Sequence, residues 1–206
     1  MRFNGPLAKL TVCLVLISCA SVAQAMEVNI NFLLAQKGLE SDDWGSSALG
    51  VDADTQPVFG VETTFGSTSW PVAIALDYIG SAHYDDVLVT NPVPATVDLV
   101  QGTLELDFGV RKIWKAGKAR PYVGGGFGLM GARQEVPLLG LLTTEDSDST
   151  IGVWFNGGAF WRLGKKFNIG VDFRLSSGEV NLFGRDVQAG GAMLGLLLGW
   201  GWGGGS

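Results

Sequence analysis

From residue 26 onward, apolar side chains recur at every second position. In EVNINFLLAQK, Val28, Ile30, Phe32 and Leu34 share one face, while Asn29, Asn31, Ala35 and Lys37 share the other. Helical spacing would not separate the two sets, so the period of two predicts extended strand. Around Asp107, Leu104, Leu106, Phe108 and Val110 oppose Thr103, Glu105 and Gly109. In KFNIGVDFRLSSG, Phe167, Ile169, Val171, Phe173 and Leu175 oppose Asn168, Gly170, Asp172, Arg174 and Ser176. About eight such segments follow one another, each roughly ten residues or more, the length of a strand crossing a bilayer at a tilt.

The connections alternate in length. Residues 38–55, 81–97, 132–148 and 178–188 read as long loops. Gly66 to Ser69, Ala116 to Lys118 and Gly164-Lys165 read as tight turns. With a periplasmic start, every tight turn falls on the periplasmic side and every long loop outside. That is the layout of an all-β, eight-stranded, antiparallel up-and-down transmembrane barrel, here expected over residues 26–206.

Alternation alone does not say which face points out, because a soluble ligand-binding cup alternates too. Aromatic placement decides. Phe65, Trp70, Trp114, Trp161, Phe167, Trp200 and Trp202 all lie near the tight-turn or C-terminal ends of their segments. Closed into a barrel, those ends share one rim, and a ring of Trp and Phe at one level reads as an interfacial girdle. The small and polar faces then line the lumen. They carry Glu62, Asp77, Glu105, Asp107, Arg111, Arg162, Asp172 and Arg174 among many glycines and alanines. An eight-stranded barrel has an interior only wide enough to be filled by side chains, so these charges are expected to pair there.

The first 25 residues follow a different logic. Arg2 and Lys9 precede the apolar run LTVCLVLISCA, and Ala23-Gln24-Ala25 supplies a small-x-small cleavage pattern. This is the signature of a secretory signal peptide over 1–25, too short to remain as a spanning helix. A second option is acylation at Cys19 within Leu16-Ile17-Ser18-Cys19. Both cysteines, Cys13 and Cys19, lie in this leader, so the exported part is expected to form no disulfide. Removing Arg2 and Lys9 takes the net charge from −6 to −8, which argues against nucleic acid as a partner.

Gly126, Gly128 and Gly131 in GFGLMG match the spacing of a dinucleotide-binding turn. Such a turn needs a buried strand before it and a helix opening at it. Here Pro121 precedes, and Pro137 and Gly140 follow. No cofactor is expected. Gly124, Gly126 and Gly128 instead fall at alternate lumen positions, where they leave room for Tyr122, Trp154 and Phe160.

The stretch Ala119-Arg120-Pro121-Tyr122-Val123-Gly124-Gly125-Gly126-Phe127-Gly128 resembles a strand common in the small outer-membrane β-barrel superfamily of Gram-negative bacteria. The porin-family barrels similar to the OmpA transmembrane domain, OmpX and OmpW share its style. The C-terminal segment, with Gly195, Leu198, Trp200 and Trp202, resembles the superfamily's assembly signal, although GGGS follows the last aromatic. The resemblance implies an outer-membrane location. Its implied partners are outer-membrane lipid and lipopolysaccharide, with the assembly machinery during insertion, for a monomer.

Three functions compete. A non-enzymatic barrel, structural or a narrow porin-like passage for small solutes, draws on the lumen charges. A surface binding module draws on the acids Glu40, Asp42, Asp43, Asp52, Asp54, Asp85, Asp86, Glu145, Asp146 and Asp148, although none forms a complete calcium loop. An enzyme acting on lipid A would need His83, the only histidine, with Ser81, Asp85 and Asp86. The first is expected, with no catalytic residue and no metal site.

Overall fold

The computed structural model describes residues 26–39, 55–67, 69–89, 95–138 and 142–203. The expected signal peptide and the acids Glu40, Asp42, Asp43, Asp52 and Asp54 lie outside the described residues. Ten strands run in chain order: β1 Met26–Gly38, β2 Thr55–Ser67, β3 Ala73–Val89, β4 Ala95–Ile113, β5 Ala119–Leu138, β6 Leu142–Leu163, β7 Phe167–Ser177, β8 Glu179–Leu182, β9 Arg185–Gln188 and β10 Gly191–Trp202.

Eight of them, β1 to β7 and β10, close into one antiparallel barrel, with each strand beside its neighbour in sequence and β10 between β7 and β1. Closure pairs Val28 with Trp202 and Gly38 with Ala192. A closed sheet leaves no unpaired edge, the condition for a sheet to cross lipid. The remaining strands, β8 and β9, form a separate hairpin.

The period of two determines which side chains point in. Along β10, Met193, Gly195, Leu197, Gly199 and Gly201 are buried, while Leu194, Leu196, Leu198, Trp200 and Trp202 are exposed. Along the membrane-level part of the barrel the outward set is apolar, including Phe127, Ile151, Phe155 and Leu194. Such a surface suits hydrocarbon and not water.

Three short connections share one end of the barrel. The β2–β3 turn is closed by a Trp70 N–H bond to the Ser67 carbonyl at 3.0 Å. Ala116 and Ala119 pair across Gly117-Lys118, where Gly117 has φ of 65°. Gly164 (φ 61°) opens the β6–β7 turn. A positive φ is costly for residues with a Cβ, so glycine occupies both turns.

At the other end, two of the expected long loops are mostly strand. Register continues from Ser81↔Thr103 to Val89↔Ala95, and from Ala132↔Asp148 to Leu138↔Leu142. Residues 81–89, 95–97, 132–138 and 142–148 are therefore ladder, and only the residues between them connect the strands. These extensions continue past the apolar band, and Arg133, Gln134, Glu145, Asp146 and Asp148 lie on them. No alternation of hydropathy marks them as strand. The expected loop 178–188 holds the β8–β9 hairpin.

Candidate functional site

The lumen holds a row of like charges. Glu62 faces Asp77 across β2 and β3, and Asp77 faces Asp107 across β3 and β4. All three are buried. Direct neighbours of one sign destabilise a sheet unless cations lie among them. Two arginines do so. Arg174 on β7 donates to Asp107, Asp77 and Glu62, reaching Glu62 Oε1 at 3.2 Å. Arg111 on β4 donates to Asp77 Oδ2 at 2.9 Å and lies 3.4 Å from Glu62 Oε2. Because β7 and β2–β4 lie on opposite sides of the barrel, Arg174 ties the walls together through the middle.

Trp154 on β6 fills the space beside this network. It is fully buried, and the guanidinium carbons of Arg174 and Arg111 lie 4.7 and 5.9 Å from its ring centroid. Its Nε1–H is shared between the Phe108 and Phe127 carbonyls, each at 3.3 Å. Glycines make the room. A Cβ on Gly109 would lie 2.7 Å from Trp154 Cζ2, and one on Gly124 would lie 2.6 Å from Asn156 Oδ1. The GFGLMG stretch lies within β5, with no helix after it, as a lumen-wall glycine strip.

The other charges expected in the lumen lie around this centre. Asp172 accepts from the Tyr122 hydroxyl at 2.6 Å and from Asn156 Nδ2 at 3.0 Å. Glu105 pairs with Lys37 at 2.7 Å. Arg162 lies apart, toward the short turns, donating to Asn29 and, at 3.0 Å, to Asn168. Lys37 is a lumen cation that the expected cluster left out. It is fully buried and also donates to Thr103 and to the Ala189 carbonyl, at 3.0 and 2.6 Å. Its place on the polar face of β1 was the signal.

The hairpin closes the lumen's other end. Val180, Leu182 and Val187 are buried in one cluster with Leu39, Met130 and Ala132. Two of the acids expected in a free outer loop hold it there. Asp148 accepts from the Asn181 N–H at 2.8 Å, and Asp146 from the Phe183 N–H at 2.6 Å. The backbone N–H groups of Asn181 and Ser149 hold the Asp148 carboxyl below its ordinary value. Of Asp85 and Asp86 only the strand backbone is described. Among the described residues, no acidic or histidine cluster has the makings of a metal site.

His83 lies in β3 and not in the long loop expected over 81–97, paired with Gln101 on β4. The Ser81 hydroxyl, the nucleophile an enzyme would need, bonds Gln56 Oε1 and Thr103 Oγ1, each at 2.7 Å. The aromatic residues named for a girdle are placed at the short-turn end of their strands. Trp202 and Phe65 both flank Val28, and Phe167 meets Trp200 edge-on at 6.1 Å. Trp70, Trp114 and Trp161 are each nearly half exposed, and Phe65 is partly so.

Residues 10–196 match the family described as the outer membrane protein beta-barrel domain. The chain belongs to that family. Barrels of the outer membrane place short turns toward the periplasm and longer connections outside, and the three short connections here share one end. Solved structures agree on the fold. Neisserial surface protein A is 15% identical, with 87% of this chain and 97% of that one aligned and a TM-score of 0.51. Ail of Yersinia pestis, solved with the heparin analogue sucrose octasulfate, is 9% identical, over 87% and 99% of the two chains, with a TM-score of 0.56. OprG of Pseudomonas aeruginosa is 10% identical, over 88% and 98%, with a TM-score of 0.51. Among curated proteins, no sequence matches.

Proposed function

We propose that this outer-membrane barrel keeps its lumen closed and acts through its surfaces, as a non-enzymatic, structural barrel. Arg174 carries the reading. It is fully buried and bonded to carboxylates on three strands of the opposite wall, with Trp154 packed against it. Side chains of this size are enough to fill an eight-stranded lumen, which supports a closed barrel. Planar-bilayer recording is the test. Wild-type protein is expected to give no steady conductance, and persistent channels would overturn the closed reading.

A narrow passage has one observation in its favour. Five carboxylates (Glu62, Asp77, Glu105, Asp107, Asp172) share the lumen with Lys37, Arg111, Arg162 and Arg174. Asp77 Oδ1 and Asp107 Oδ1 find no hydrogen-bond partner among the described residues. If the network rearranged, a lumen of this balance would favour cations. Cation-selective events in Arg174→Ala alone would support a gated passage. Silence in both proteins would remove it.

Surface binding of a polyanion, such as the heparin analogue on Ail, suits this chain poorly. Its outer end carries Glu135, Glu145, Asp146, Asp148, Glu179 and Asp186 against Arg133 and Arg185. Like charges repel a polyanion before contact.

A further inference from the structure

The periplasmic end has the opposite charge. Lys112, Lys115, Lys118, Arg120, Lys165 and Lys166 lie at or beside the short turns, and Glu27 is the one carboxylate placed at that level among the described residues. Basic residues at a membrane surface attract anionic headgroups, by about 1 kcal/mol each.

Part of this rim is concave. A cleft of about 230 Å³ opens between the β2–β3 turn and the end of β4. Trp70, Pro71 and Val72 line one side and Lys112 and Lys115 the other, while the floor is the periplasmic mouth of the lumen, with Glu27, Asn29 and Thr64. Lys112 Nζ donates to the Pro71 carbonyl at 2.6 Å, and Lys115 Nζ pairs with Glu27 at 3.0 Å. An ammonium has three N–H groups, so each lysine keeps donors for a ligand. Glu27 does not dominate the cleft, because Arg162 also approaches it, at 3.5 Å.

The cleft opens at the level of the membrane interface. Trp70 and Trp114 are nearly half exposed there, and Val72, Ile74 and Val110 continue as exposed apolar wall toward the bilayer centre. A ligand with an anionic head and an apolar tail fits both parts. A soluble anion would use only the first, and a neutral lipid only the second.

We infer that the cleft is a headgroup site for an anionic glycerophospholipid of the periplasmic leaflet, with Lys112 and Lys115 on the phosphodiester and Trp70 over the glycerol backbone. The occupant steadies the β2–β3 turn against β4 and fixes the barrel's depth in the membrane.

Native mass spectrometry of the full chain released from nanodiscs of equal phosphatidylglycerol and phosphatidylcholine tests this. Wild-type protein is expected to retain phosphatidylglycerol over phosphatidylcholine, with a preference falling about fivefold for each cleft lysine neutralised. Lys112→Gln with Lys115→Gln abolishes the preference, whereas Lys165→Gln with Lys166→Gln, on the β6–β7 turn, keeps it. Equal retention of both lipids by wild type overturns the site without recourse to any variant. Equal weakening by the two double variants overturns it in favour of a diffuse basic rim. The change of gel mobility on heating shows that each variant is folded.

Discussion

The guanidinium of Arg174 lies over the indole of Trp154, its central carbon 4.7 Å from the ring centroid. The same guanidinium bonds Asp77, Asp107 and Glu62. Removing it leaves three carboxylates on adjacent strands with Arg111 alone among them. Arg174→Met is expected to lower unfolding stability by about 3–5 kcal/mol, the usual consequence of leaving buried charge unpaired. Adding Asp107→Asn recovers part of that loss. Urea unfolding in detergent, followed by gel mobility, reads both effects. Equal stability of wild type and Arg174→Met would show that the network contributes nothing.

The glycines of GFGLMG differ in what a side chain would meet. A Cβ on Gly126 runs into the Phe108 carbonyl and comes within 2.6 Å of Gly109 Cα. A Cβ on Gly128 meets the Asp107 carboxylate, which Arg174 holds in place. A Cβ on Gly131 finds nothing nearer than 3.6 Å. Gly126→Ala and Gly128→Ala are expected to destabilise by about 1–3 kcal/mol. Gly131→Ala stays within about 0.5 kcal/mol of wild type. Comparable losses at all three positions, by the same unfolding assay, would rule out close packing as their reason.

Phe183 has φ of 51° and is followed by Gly184 at 77°, the two positive values of a type I′ hairpin turn. Asparagine adopts that conformation more readily than phenylalanine, and Phe183 is well exposed, so little packing is lost. Phe183→Asn is expected to tighten the hairpin by up to about 1 kcal/mol. Slower amide exchange at Val180 and Val187 would show it. Faster exchange would mean that the aromatic ring holds the hairpin down.

How legible these features were depended on whether one face met lipid. In β2, β3, β4 and β7 the outward residues are apolar, so Glu62, Asp77, Asp107 and Arg174 stood out as inward by parity alone. Asp146 and Asp148 lie on the polar upper ladder, where parity carries no hydropathy signal, and they read as loop acids. The hairpin left a trace in Val180, Leu182 and Val187 around Phe183-Gly184. Phenylalanine at a position that favours asparagine concealed it. Which carboxylate meets which cation followed from closure of the barrel, a relationship between strands distant in sequence.

Acidification should loosen the hairpin at Asp148 in a definite pH window. Two backbone N–H groups bond its carboxylate, and its folded-state value is depressed. A depressed carboxyl contributes stability that is present above its unfolded value of about 3.9 and lost as pH falls through the folded value. The Asn181 amide therefore keeps its shift from neutral pH to near 4, then moves as the bond to Asp148 is protonated away. Asp148→Asn removes that titration and leaves the hairpin loose at every pH. An NMR titration of the Asn181 amide in detergent or nanodiscs decides. A midpoint above the ordinary aspartate value, or no movement at all in wild type, would mean that this carboxylate does not hold the hairpin.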